Sequence, residues 1–166
     1  GPGIGNTSDT RALLWAALPD AAQLALGVVI DADGLNGIAE LADGRERVPE
    51  NAVLTPHPGE MARLLGTTVA DIQSRRIEAA SEAASAYGCV VVLKGAHSVI
   101  ADATGRIALS PYANPLLATA GSGDVLAGMI AAYLAQGLEP FEAARLAVYL
   151  HAATGESLRE EYGNAG

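Results

Sequence analysis

The string NPLLATAGSGD at 114–124, followed directly by the apolar run VLAGMIAAYL, holds the residues of this chain best suited to chemistry. A Gly-Ser-Gly loop opens a helix there, and the first amides of a helix have no partner within it. The helix dipole adds partial positive charge at the same point. Gly121 and Gly123 leave room for an anion to approach those amides, and Asp124 stands at the mouth of the anion site. A carboxylate so placed can take the proton of a substrate hydroxyl and make it a nucleophile toward a phosphoryl group held by the loop. The simpler alternative is that Ser122 or Asp124 caps the helix. The loop is not a hydrolase nucleophile elbow, which needs glycine at 120 and 124. It is not a Walker loop, because no Lys-Ser or Lys-Thr pair follows.

Two further strings end apolar runs. KGAHS at 94–98 puts a lysine where it can reach into the crevice at the end of a sheet, next to a glycine that allows close backbone approach; the alternative is an exposed lysine at a corner. TPHPGE at 55–60 holds His57 between two prolines, a large constraint on one imidazole that suits a ligand contact. His57 also fits a helix N-cap, with Pro58 at the first helical position and Glu60 at N3 of a capping arrangement. GPGIG at 1–5 resembles a dinucleotide fingerprint only superficially, since no strand precedes it here and Asn6 follows. DADGLN at 31–36 has its glycine in the wrong place for a Ca²⁺ loop and reads as a turn with a helix cap. Histidines 57, 97 and 151 and the single Cys89 lack zinc spacing, so no protein metal ligands are expected.

The elements that must position these strings follow from periodicity. Helices are expected at 9–18, stopped by Pro19, and at 35–42 and 59–65. One long alanine-rich helix is expected at 69–87, closed by Gly88, and further helices at 124–136 and from Pro140 to about 160. Continuous apolar runs at 26–30, 52–54 and 89–93 read as strands buried on both faces. Segments 98–101 and 106–110 flank Asp102-Ala-Thr-Gly105 and read as a hairpin. Strands alternating with helices point to an α/β fold with a parallel sheet, in which ligands bind beyond the carboxyl ends of the strands.

Composition narrows the partners. Half of the 166 residues are apolar but only 4% are aromatic, so the core must be built from Ala, Val, Leu and Ile. The net charge is −9 with ten basic residues in total and no basic run, which argues against a nucleic-acid partner. A phosphate-bearing small molecule fits regardless, because helix N-termini bind phosphate without net positive charge. Cys89 lies in the run CVVVL and reads as a small core residue. No apolar run approaches the ~18 residues of a membrane span, and no charged start leads an apolar segment; the expectation is a cytoplasmic protein.

GPGIG at 1–5, DADGLN at 31–36, LTPHPGEMARLLG at 54–66, VVLKGAHSVIAD at 91–102 and NPLLATAGSGDVLAGMIAAYLAQG at 114–137 together resemble the ADP/ATP-dependent NAD(P)H-hydrate dehydratases, in order and over nearly the whole chain. The resemblance implies a ribokinase-like three-layer α/β/α sandwich with a mostly parallel central sheet, formed by residues 1–166 as one domain. Domains of that family begin before a GPGIG turn and run past the last helix here, so a fragment lacking the N-terminal part is expected. The implied reaction phosphorylates the ring hydroxyl of hydrated NADH or NADPH from ADP or ATP, with Mg²⁺, and loss of phosphate restores NAD(P)H. By position, Asp124 matches the catalytic base and a substrate contact, and Gly121 and Gly123 match the anion-hole loop. Lys94, Gly95, Ala96, His97 and Ser98 match the stretch around the nucleotide phosphates, together with Gly123. His57 and a glycine of the first turn, Gly5 or Gly3, match substrate contacts. A homo-oligomer and a fused or separate epimerase are implied as partners. Two other readings compete: a hydroxyethylthiazole- or hydroxymethylpyrimidine-type kinase, against which TPHPGE argues, and a non-catalytic nucleotide-binding module.

Overall fold

The computed structural model describes residues 1, 3–5, 7–23 and 27–163. Helix α1 (Ser8–Gln23) precedes strand β1 (Val28–Ile30), helix α2 (Asp33–Ala39) and strand β2 (Ala52–Leu54). Helices α3 (Pro58–Leu65), α4 (Val69–Ser74) and α5 (Arg76–Tyr87) lead to strand β3 (Val90–Leu93). The hairpin of β4 (Val99–Ala101) and β5 (Ile107–Leu109) follows, then α6 (Ser122–Ala135) and α7 (Pro140–Tyr162). Leu26, in the first expected strand, lies outside the described residues.

The strands form one sheet in chain order, β1-β2-β3-β4-β5. The pairs β1–β2 and β2–β3 are parallel, whereas β3–β4 and β4–β5 are antiparallel. The sheet is therefore mixed: the helical crossovers build its parallel half, and two short connections build the rest. Asp102 makes the second of these, accepting the amides of Thr104 at 3.0 Å and Arg106 at 2.9 Å through Oδ1.

Alternate residues of each central strand enter different cores. Ala52, Leu54, Val91, Leu93, Val99 and Ala101 pack with α2–α5, while Val53, Val90, Val92 and Ile100 pack with α6 and α7. Burial on both faces is why these strands read as unbroken apolar runs. Ala79, Ala80, Ala83 and Ala84 are fully buried along α5. Their small side chains let the helix lie close on the sheet, which explains a core with so few aromatics. Cys89 is buried just before β3, and burial pushes its thiol up to about 12.

Several boundaries differ from expectation, three of them before β3. Pro19 lies inside α1 rather than ending it. It removes one amide donor, but the helix around it exposes Leu13, Ala16 and Ala17, so water can serve the carbonyl left over. Helix α2 runs over Asp33–Ala39 instead of 35–42. The segment 69–87 breaks at Arg75, whose φ of −141° and ψ of 49° are not helical. Arg75 spans the break, pairing with Asp71 of α4 at 2.7 Å and Glu82 of α5 at 2.6 Å.

Candidate active site

Asp31, Thr55 and Lys94 follow the carboxyl ends of β1, β2 and β3; the register sets Asp31 level with Thr55 and Lys94 two residues farther along, from where its long side chain reaches Asp31. Lys94 Nζ is 2.7 Å from Asp31 Oδ1 and 3.9 Å from Glu60 Oε2. Both carboxylates are buried, their side chains 3% and 6% exposed. Removing Lys94 would strand two buried anions, a situation that typically costs about 3–5 kcal/mol. The lysine is thus held in one place beneath the glycine loop: a Cβ on Gly123 would stand 3.4 Å from Nζ.

His57 is the N-cap of α3, and the capping box is complete. Its Nδ1 accepts the amides of Gly59 at 2.9 Å and Glu60 at 3.3 Å, while the His57 amide donates to Glu60 Oε2 at 2.7 Å. A nitrogen that accepts two N–H groups carries no proton, so the ring proton sits on Nε2, 3.4 Å from Glu60 Oε1. The cap fixes the tautomer and leaves half of the side chain open to solvent.

Helix α6 begins at Ser122, two residues before the expected start, with Gly121 as N-cap at φ 87°. This left-handed conformation is costly for any residue with a Cβ. No side chain caps the helix at Gly121. Ser122 Oγ instead donates to the Leu117 carbonyl at 2.7 Å, which ties the loop to the preceding turn. Asp124 occupies the exposed third position of the helix. The capping alternative raised by the sequence is therefore not how Ser122 or Asp124 is used.

Between these parts lies a cavity of about 580 Å³. Its wall includes His57, Lys94, Gly95, Ala96, Ser98 and Gly123. Five expected residues stand outside that wall. His97, at φ 51°, directs Nδ1 to the Ser110 carbonyl at 3.1 Å. Gly5 donates its amide to Asp33 Oδ2 at 2.9 Å, which anchors the first turn on α2 rather than on the cavity. Gly3, Gly121 and Asp124 complete the set, and Asp124 is exposed at the surface next to Gly123.

The sequence reading gave no role to several residues of this region. Asp31 looks in sequence like part of a turn, and its place at the end of an apolar run is the signal that marks it. Asn114 lines the cavity and accepts the Leu116 amide at 2.9 Å; its buried Nδ2 has no partner among the described residues. His151 of α7 lines the cavity near the main chain of Ser122; burial holds its imidazole below the ordinary value, against the pull of that main chain.

The family model for NAD(P)H-hydrate dehydratase matches residues 1–166. The chain belongs to this family. It is 46% identical over 165 residues to the bifunctional NAD(P)H-hydrate repair enzyme Nnr of Moorella thermoacetica, covering 98% of this chain and 30% of that protein. It is 46% identical over 140 residues to the ADP-dependent (S)-NAD(P)H-hydrate dehydratase of Neisseria meningitidis serogroup B, covering 83% of this chain and 47% of that one. The Bacillus subtilis ADP/ATP-dependent NAD(P)H-hydrate dehydratase co-crystallized with ATP/Mg²⁺ superposes with a TM-score of 0.85 at 35% identity, over all of this chain and 57% of its own. The chain thus spans under two thirds of each. A hydroxyethylthiazole kinase from Pyrococcus horikoshii, 21% identical with a TM-score of 0.76, shares the fold. The ribokinase-like fold of the family is the one described above.

Proposed function

We propose that this chain carries the catalytic region for ADP- or ATP-dependent dehydration of hydrated NADH and NADPH. The observation that carries the reading is the Lys94 ammonium, fixed by two buried carboxylates directly beneath Gly123 in the cavity wall. A fixed cation and a helix N-terminus meeting at one cavity are suited to a nucleotide's phosphates. The family match supplies the substrate class.

In the proposed reaction Asp124 accepts the proton of the ring hydroxyl. The freed oxygen bonds to the terminal phosphorus of ADP or ATP, and the nucleotide leaves one phosphate shorter. The ring C–O bond then breaks, phosphate departs with the electron pair, and loss of a neighbouring ring proton closes the double bond. Phosphate leaves far more readily than hydroxide, so a kinase-like site supports a net dehydration. Lys94, Gly95, Ala96, His97, Ser98 and Gly123 are assigned to the nucleotide, and His57 with Gly5 or Gly3 to the hydrated ring. Mg²⁺ is expected to arrive on the nucleotide's phosphates. Among the described residues no three His, Cys, Asp or Glu side chains form a ligand set, and Asp31 and Glu60 are engaged by Lys94.

The sheet shared by both cores supports reading the chain as one ribokinase-like unit. A homo-oligomer, an epimerase activity fused or separate, and a cytoplasmic site belong to the same reading. The bifunctional names of relatives support the epimerase, and no described helix is long and apolar enough to cross a membrane.

The test is absorbance at 340 nm on mixing the protein with hydrated NADH, Mg²⁺ and either nucleotide. Absorbance should rise only with nucleotide, and Asp124→Ala should slow the rise by roughly a hundredfold or more, the usual scale of a lost general base. A stable phosphate ester without reduced cofactor would move the assignment to a small-alcohol kinase. Nucleotide binding with no turnover in the unaltered protein would leave a binding module.

A further inference from the structure

Arg76 opens α5 beside the nucleotide-assigned segment, and no part of the proposed reaction uses it. Its Nη2 donates to the carbonyls of Leu93 and Lys94, both at 3.3 Å, and its Nη1 donates to Gln73 Oε1 at 2.9 Å. The guanidinium lies flat against Gly95: a Cβ there would meet Nη2 at 3.1 Å and Nη1 at 3.2 Å. Gly95 has φ 136°, so the close approach and the conformation both call for glycine.

This cation is poorly placed for stability alone. It sits in the first turn of a helix, where the dipole disfavours positive charge. Among the described residues no carboxylate pairs with it, and burial pulls its pKa down. What it does hold is peptide orientation. In a trans peptide the carbonyl and the following amide point in opposite directions. The Leu93 carbonyl faces Arg76, and the Lys94 amide accordingly points away, to the Pro56 carbonyl at 2.9 Å. The Lys94 carbonyl also faces Arg76, so the Gly95 amide is turned the other way. Gly95 lines the cavity and Arg76 does not, and that amide has no acceptor among the described residues. Glycine is the residue whose flanking peptide flips most freely, so the amide needs a latch.

We infer that Arg76 is a positioning residue for nucleotide binding: it locks the Lys94–Gly95 peptide so that the Gly95 amide faces the cavity, ready to donate to a phosphate oxygen. The inference rests on the nucleotide-binding role proposed above. The guanidinium does this with Nη2 bonded to two successive carbonyls while Nη1 is held by Gln73 Oε1, a planar fork fixed at both ends that an ammonium on a flexible stem does not reproduce.

Titration calorimetry with MgADP and MgATP on the unaltered protein, Arg76→Ala and Arg76→Lys tests it, alongside thermal midpoints and steady-state kinetics. Loss of one oriented donor to an anion is expected to weaken nucleotide binding about tenfold in Arg76→Ala and at least about threefold in Arg76→Lys. The KM for hydrated NADH and the midpoints should stay near those of the unaltered protein. Unchanged nucleotide affinity in Arg76→Ala would overturn the inference. So would equal losses in every kinetic parameter with a lowered midpoint, which would mark a purely structural arginine. If Arg76→Ala does not fold, Arg76→Lys decides, and unaltered affinity there overturns the latch. Failure of the unaltered protein to bind either nucleotide would instead bring down the dehydratase reading, and this inference with it.

Discussion

Lys94 and His57 each combine a structural contact with a place in the proposed site. The ammonium pairs with Asp31 and lies 3.9 Å from Glu60, and these carboxylates hold it still, so its position under Gly123 comes from the same contacts that tie the strand ends together. His57 caps α3 through Nδ1 and offers the cavity its other edge. The two roles can be separated. His57→Ala should cost about 1 kcal/mol of stability, as lost N-caps do, whereas His57→Asn, which keeps a cap acceptor, should cost a few tenths. Both should raise the KM for hydrated NADH about tenfold if the imidazole edge contacts the ring, since tenfold corresponds to about one such interaction. Chemical denaturation and the 340 nm assay read the two effects independently.

At the scale of elements, what was legible depended on whether the cause was local. Strand β2 and the start of α3 fell where expected, because an apolar run and Pro58 mark them directly. The hairpin was equally clear from its Asp-Ala-Thr-Gly turn. The break between α4 and α5 was not: Arg75 is no helix breaker, and the ion pairs that hold it there reach four residues back to Asp71 and seven forward to Glu82. Contacts across longer separations were hidden altogether. Asp31 and Lys94 are 63 residues apart, and nothing near either one names the other. In the same way His151, far along α7, reaches the main chain of the loop that starts α6. This contact gives α7 a measurable pH signature. Burial depresses the folded-state pKa of His151, so the unfolded chain takes up the proton first as pH falls. The imidazole's contribution is complete above the ordinary value near 6.5 and is lost as pH falls below it. His151→Gln should therefore gain thermal midpoint relative to the unaltered protein between pH 7.5 and 5, measured by scanning calorimetry.

Across the whole molecule, one sheet separates two cores, and the cavity opens where the strands' carboxyl ends meet α6 and α7. Its wall draws on α3, the β3–β4 connection, the loop before α6 and α7 itself, so an occupant would cross-link elements that contribute to both cores. Nucleotide at a hundred times its Kd should add about 2.7 kcal/mol and raise the midpoint of a chain this size by about 5–10 °C. Asp124→Ala should show the same rise, because the reaction proposed above assigns that carboxylate to the other substrate. Equal midpoints with and without ADP or ATP would argue against a nucleotide at this cavity.

The chain has a single cysteine, and it is sealed beneath the strand that carries Lys94. With burial pushing the Cys89 thiol up to about 12, the folded protein presents almost no thiolate at neutral pH. An alkylating reagent can reach it only when the sheet opens. The rate of labelling is therefore a clock for that opening, built in and free of any competing site. A ligand that steadies the region around β3 should slow the clock in proportion to its occupancy, in a protein that needs no probe introduced to be watched.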